Sequence, residues 1–316
     1  IGQREMTSGT KVRVASLSKI AIGLCASAMA EDGLLDLDAP LDTYWGAGAG
    51  NPYTSVQPSA RTLMTHTSSL REMELSRGLS RLRTLLRAPS SWRQAVPGDG
   101  SCWSYSNMGF AVLGTTLELA ADTTLDRYFQ SRFLQGLDIH ASLHAGNLEA
   151  EEVACLYAPG GGIARTPAQQ TGQSVPQEIG MGATYFPGGL TISAVDLAKL
   201  TAILAGDGCY AGQRYLKIKT VDDLEQPQFT VTPQTGTPFE QCLVLRRQVD
   251  LLGQPVLYYH TGSAYGTYSL LSYNPDTGNG VVVLTTGADY QVDDRGIYAL
   301  CSEISCDLYA RMEESQ

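Results

Sequence analysis

The stretch from Ser16 to Ala30 constrains this chain more than any other. It carries one charge, Lys19, and no other until Glu31. Leu17, Ile20, Ala21, Leu24, Cys25 and Ala28 recur at helical spacing. The residues between them are small or apolar, so a helix over 16–31 is apolar nearly all round and must be central. Its apolar run, Ile20 to Ala30, is too short to span a bilayer. Ser16 and Lys19 stand three apart on such a helix, on one face, with Cβ atoms about 5–6 Å apart. A hydroxyl is a weak nucleophile until a base takes its proton. Burial lowers a lysine's proton affinity and makes it such a base, and the helix N-terminus adds positive potential near Ser16. An ordinary helix start, capped by Ser16 or Ser18 with Lys19 in solvent, would read the same. The rest of the chain has to decide.

The sequence after this helix divides into a helical middle and a late sheet. Gly33 ends the helix, and an irregular loop crosses to further helices near 59–64, 76–86, 107–121 and 125–134. The segment 159–167 reads as a loop. Ser193 with Asp196 resembles a capping box and starts a helix that ends at Gly206. From about 226 the character changes to Val, Tyr, Thr and Leu, with a hairpin turn at 274–280. A final helix is expected at about 293–312. The plan is α+β: one domain over 1–316, a helical region of about 33–190 between the first helix and a sheet of about 226–290.

Composition removes several function classes. The 316 residues include 32 acidic and 22 basic ones, for a net charge of −10. Such a chain is poorly suited to nucleic acid or anionic membranes. Its nearest basic run, Arg77 to Arg87, alternates arginine with leucine and reads as a solvated helix face. The seven cysteines form no C-x-x-C pair and only four histidines accompany them, so no metal site and no cofactor is expected. An odd cysteine count excludes complete internal pairing.

Two further motifs sit where chemistry would need them. Tyr105-Ser106-Asn107 precedes a helix, and in extended backbone the tyrosine and the asparagine project together. His260-Thr261-Gly262 ends a strand, with a glycine that would let a substrate backbone come close. Together with Ser16-Leu17-Ser18-Lys19, in this order, they resemble the serine β-lactamase and penicillin-binding-protein superfamily, with its S-x-x-K, Y-x-N and H-T-G. "LMTHTSSL" at 63–70, "GLLDLDAPL" at 33–41, "YSNMGFAVLG" at 105–114 and "GGLTISAVDLAKL" at 188–200 extend the resemblance over about residues 8–312. The Y-x-N and H-T-G forms resemble the branch of class C β-lactamases, D,D-carboxypeptidases and related esterases.

The resemblance implies a β-lactamase/transpeptidase-like fold and a serine hydrolase. Ser16 would be acylated, Lys19 would accept its proton, and Tyr105 would pass a proton to the leaving group. Asn107 would hold the substrate amide, and His260, Thr261 and Gly262 would line the binding strand. The backbone N–H groups of Ser16 and Ser263 would form the oxyanion hole. The implied substrates are D-amino-acid peptides, with β-lactams as acylating ligands; β-lactamase and small-ester hydrolysis are alternatives, and a non-turnover penicillin sensor is a third reading. An extracytoplasmic location is implied, although no signal peptide is visible. His66 would be structural, and His140 and His144 are expected at the surface. Ser69 stands where the family has glycine.

Two expectations concern what surrounds the site. Family members usually carry about fifty residues before the nucleophile, with a helix and two strands, and in the given sequence Ser16 stands almost at the start, so those two strands are expected to be lacking. The strand at 280–287 is therefore expected to have an open edge, covered by residues 1–14, another chain or a partner peptide. Arg246 and Arg247 fall 14 and 13 residues before His260. If "CLVLRRQ" is a strand and "VDLLGQP" its turn, one of the two arginines faces the site and can meet a terminal carboxylate.

Overall fold

The computed structural model describes residues 5–314 apart from position 235. Helix α1, Ser18–Glu31, is buried at every position from Ser18 to Met29. No stripe pattern is needed in a helix that protein surrounds on all sides. Gly23 permits the closest approach, because a Cβ there would meet Val244 Cγ2 at 2.5 Å. The expected helix start moves by two residues. Ala15–Leu17 form a 3₁₀ turn, so Ser16 lies in the entry turn and not in the α-helix. Ala15 takes φ +51°, a left-handed conformation that costs an alanine about 1–2 kcal/mol.

Helix α2, Asn107–Ala121, and helix α3, Ala194–Ala205, lie where the periodicity puts them. Ser193 caps α3 by accepting the Asp196 N–H at 3.1 Å. Leu125–Phe129 is α-helical and continues as a π-turn through Leu134. The 159–167 loop contains an unforeseen short strand, Ile163–Arg165, paired with Leu156–Tyr157. The final helix, α4, spans Ala299–Glu314 and so starts later than expected. Asp293 accepts the N–H groups of Arg295 and Ile297, which holds the preceding residues in a turn.

Strand β1, Val12–Arg13, pairs with β2, Thr191–Ile192. The late sheet comprises β3, Phe229–Val231; β4, Phe239–Gln241; β5, Arg246–Leu251; β6, Gln254–Ala264; β7, Thr267–Tyr273; and β8, Gly280–Thr286. It is antiparallel, in the order β8-β7-β6-β5-β4-β3. The β5–β6 turn is Leu252-Gly253, with φ of +53° and +77°, where the sequence suggested a longer turn from Val249. Residues 242–245 lie outside the strand.

The sheet separates two cores. Tyr258, Leu271 and Tyr273 join the large core around α1, while Leu257, Tyr259 and Leu270 pack toward Ile297, Cys301 and Tyr309 of the C-terminal region. Each buried aliphatic or aromatic side chain contributes about 1.5–3 kcal/mol. Strand β8 pairs with β7, and no described residue pairs with its outer edge. Residues 11–13 are engaged elsewhere, with Val153 and with β2.

Candidate active site

The open side of β6 organises the site. Pairing with β5 stops at Tyr259–Arg246, so residues 260–264 keep β7 on one side and face the nucleophile turn on the other. Gly262 makes that approach possible. A Cβ there would lie 2.5 Å from Val14 O, 2.4 Å from Ser269 Oγ and 3.1 Å from Ser16 N. The structure adds a second reason for a glycine here: Gly262 makes room for the turn that carries Ser16. Ser269 Oγ fixes the same turn by donating to Val14 O at 2.9 Å.

Lys19 is fully buried, and its Nζ donates to Pro187 O at 2.8 Å, to Asn107 Oδ1 at 2.9 Å and to Ser16 Oγ at 3.3 Å. Burial pulls its pKa down to about 7, with Arg246 adding to the drop and Glu72 opposing it. The ammonium group also lies 4.8 Å from the Tyr105 ring centre and 5.3 Å from that of Phe110. Ser18, the neighbouring hydroxyl, is committed to structure: it donates to Ala15 O and accepts from Leu190 N–H.

Tyr105 and Asn107 do project together. Burial pushes the Tyr105 pKa up to about 12, and the Ser16 side chain opposes the rise. Between them Ser106 caps α2 by accepting the Gly109 N–H at 2.8 Å. Beneath Tyr105 lies His66, its ring centre 4.4 Å away. Its Nδ1 accepts the Ser106 N–H at 3.1 Å, and burial holds its pKa well below the usual histidine range. His66 therefore shapes the Tyr105 turn as a neutral ring. Ser69 has φ +60°, which explains why a glycine would suit that position. Its hydroxyl accepts from Asn51 Nδ2 at 2.7 Å.

His260 is buried, and its Nδ1 lies 2.6 Å from Thr261 O, so that nitrogen carries the proton. Desolvation, with Arg246 and Lys19 nearby, holds His260 neutral. Its ring centre is 6.3 Å from that of Tyr105. Thr261 is half-buried and Ser263 exposed. The two arginines separate, as strand alternation requires. Arg247 pairs with Glu240. Arg246 lies over the Phe239 ring at 4.5 Å, and its charge acts on Lys19, Tyr105 and His260.

Four contributors were not foreseen. Glu72 accepts from Ser106 Oγ at 2.7 Å and from Met108 N–H at 3.2 Å, anchoring the start of α2. Pro187 supplies the carbonyl that holds Lys19. Tyr298, in the segment before α4, is pushed up to about 12 by burial, and the Ser263 side chain opposes that rise. His144, expected at the surface, is 4% exposed. His140 is exposed and lies 3.1 Å from Glu152.

The Beta-lactamase family model matches residues 2–300. No relative is found among curated proteins. Solved structures share the fold at low identity. An octameric penicillin-binding protein homologue from Pyrococcus abyssi superposes with a TM-score of 0.73 at 20% identity, over 98% of this chain and 67% of that one. D-amino acid amidase from Ochrobactrum anthropi gives 0.72 at 19% identity, over 99% and 87%. A class C β-lactamase gives 0.69 at 19% identity, over 96% and 82%.

Proposed function

The chain belongs to the Beta-lactamase family, and from that premise we propose that it works through an acyl-enzyme on Ser16, with D,D-carboxypeptidase-like action on D-amino-acid peptides. One observation carries the reading. A fully buried amine with a pKa of about 7 lies 3.3 Å from a hydroxyl that no helix cap consumes. A base with a pKa near the working pH is the most effective one.

Ser16 Oγ attacks the substrate carbonyl carbon and its proton passes to Lys19 Nζ. The N–H groups of Ser16 and Ser263 receive the developing oxyanion, a pairing in which one lost donor costs about 100–1000-fold. Tyr105, with its pKa near 12, stays a phenol and a proton donor. The C–N bond breaks as the leaving amine takes a proton from Tyr105, which Lys19 resupplies. Water then attacks the ester and the same groups run in reverse. Asn107 has its Oδ1 engaged by Lys19, leaving its amide N–H₂ for the substrate. No step requires a metal or cofactor. The neutral His260 cannot answer a substrate carboxylate, so that task falls to Arg246.

Incubation with a fluorescent penicillin, followed by intact mass over time, tests the proposal. One adduct on Ser16 is expected, absent in Ser16→Ala and retained in Ser18→Ala. Labelling that survives in Ser16→Ala would overturn the assignment. An adduct that never decays would favour a sensor over a hydrolase.

A further inference from the structure

Beside the nucleophile turn lies a cavity lined by Arg13, Arg165, Tyr265, His144 and Gln170, with no aspartate or glutamate in its wall. We infer that it is a subsite for a carboxylate carried on the acyl portion of the substrate. The inference deepens the hydrolase reading and rests on it.

The position follows from the chain. Arg13 stands three residues before Ser16, and its Nε donates to Gly188 O at 2.7 Å. Gly188 follows Pro187, whose carbonyl holds Lys19. Tyr265 stands two residues after Ser263, at the tip of the β6–β7 hairpin. Ala264 pairs with Thr267, and Tyr265 and Gly266 take φ of +53° and +76°. Two successive left-handed residues make the tight turn whose twist suits a hairpin. The strained tyrosine turns its ring between β1 and the Ile163–Arg165 strand.

The charge arrangement is unusual for this protein. Arg13 Cζ lies 4.9 Å and Arg165 Cζ 4.4 Å from the Tyr265 ring centre. Two like charges thus share one ring, and each raises the cost of the other. In a chain with ten more acidic than basic residues, neither arginine has a carboxylate partner among the described residues. The wall also holds a buried histidine. His144 Nδ1 accepts the Gly146 N–H at 3.1 Å, which places the proton on Nε2, and Nε2 has no partner. A carboxylate would separate the two guanidinium charges and accept from their forks.

The reaction chemistry decides which part of the substrate arrives there. Tyr105, the proton donor to the leaving group, stands beside His260 at one end of the open segment 260–264. Tyr265 marks the other end. The leaving group therefore lies toward Arg246, and the acyl group toward Arg13 and Arg165.

The test compares p-nitrophenyl valerate with the p-nitrophenyl monoester of glutarate, which adds a carboxylate to an acyl chain of the same length. A preference for the glutarate ester is expected in kcat/KM, and Arg165→Gln should lower the ratio about tenfold, the scale of one charged hydrogen bond. A ratio is insensitive to the fraction of folded enzyme, and Arg165 is exposed. Added salt should lower the preference in the wild type, by screening. Equal use of both esters, or an unchanged ratio in Arg165→Gln, would overturn the subsite and leave the hydrolase reading intact. If neither ester is cleaved and Ser16 is never acylated, the hydrolase reading fails. Calorimetry with glutarate then decides the subsite alone: binding that Arg165→Gln removes supports it, and no binding overturns it.

Discussion

Lys19 Nζ is held more closely by Pro187 O, at 2.8 Å, than by Ser16 Oγ, at 3.3 Å. The carbonyl fixes the amine, and the hydroxyl is the contact left to tighten when substrate binds. Because burial brings the amine to a pKa of about 7, free base is available at neutral pH. Below that it is protonated and cannot accept the Ser16 proton. The acylation rate should therefore rise with pH and level off above about 7. Lys19→Ala should lower it at least about 100-fold and remove the break. Stopped-flow acylation by a chromogenic β-lactam between pH 5 and 9 measures both, and a flat wild-type profile would exclude Lys19 as the base.

Tyr105 separates from Lys19 in the same experiment. Its hydroxyl is pushed to about 12 by burial, so it does not titrate in that range. Tyr105→Phe should reduce acylation about 100-fold, as loss of a positioned proton donor does. It should leave the break near pH 7 in place. A break that moved or vanished would mean that Tyr105, not Lys19, sets the pH dependence.

Gly262→Ala probes the contact between β6 and the nucleophile turn. The added Cβ would lie 2.4 Å from Ser269 Oγ and 2.5 Å from Val14 O. Either the turn or the strand must move. A stability loss of about 1–3 kcal/mol is expected from the overpacking, read as a lower urea midpoint. Acylation should fall further than stability does, because Ser16 N is the third atom crowded. A variant that is destabilised yet acylates at the wild-type rate would show that the turn does not position Ser16.

The three motifs were legible because each is local. Ser16 and Lys19 share one turn, Tyr105 and Asn107 flank one cap, and His260 to Gly262 are consecutive. Their meeting was legible only through resemblance, since nothing in the spacing of 16, 105 and 260 requires it. Contributions made across the fold stayed hidden. A carbonyl such as that of Pro187 leaves no mark on sequence. His144 looked like any surface histidine, but it is buried, with the Tyr185 ring centre 4.2 Å from its own. Gly262 was legible as a close approach, but sequence could not say which backbone approaches. The boundaries that moved, at Ser16 and before Ala299, depend on turns held by a few local hydrogen bonds, such as Leu17 N–H to Val14 O and the two that Asp293 accepts.

The arginine pair gives the sharpest statement about substrate. Strand alternation required Arg246 and Arg247 to point apart, without saying which faces the site. Arg247 is spoken for by Glu240. Arg246 is the cation whose charge reaches Lys19, Tyr105 and His260. With His260 held neutral, Arg246 is the cation expected to meet a terminal carboxylate on the leaving group. A peptide ending in a free D-Ala carboxylate and its amide should therefore part company in one variant only. Arg246→Ala is expected to penalise the acid by about 1.5–3 kcal/mol in kcat/KM, the worth of a hydrogen bond to a charged group. The amide should be affected far less, and Arg247→Ala should treat both substrates alike. Loss of discrimination in Arg247→Ala instead would mean that the Glu240 pair opens on binding. If neither variant distinguishes acid from amide, no carboxylate is anchored here. A neutral ester or amide then becomes the better substrate class for the Ser16 site.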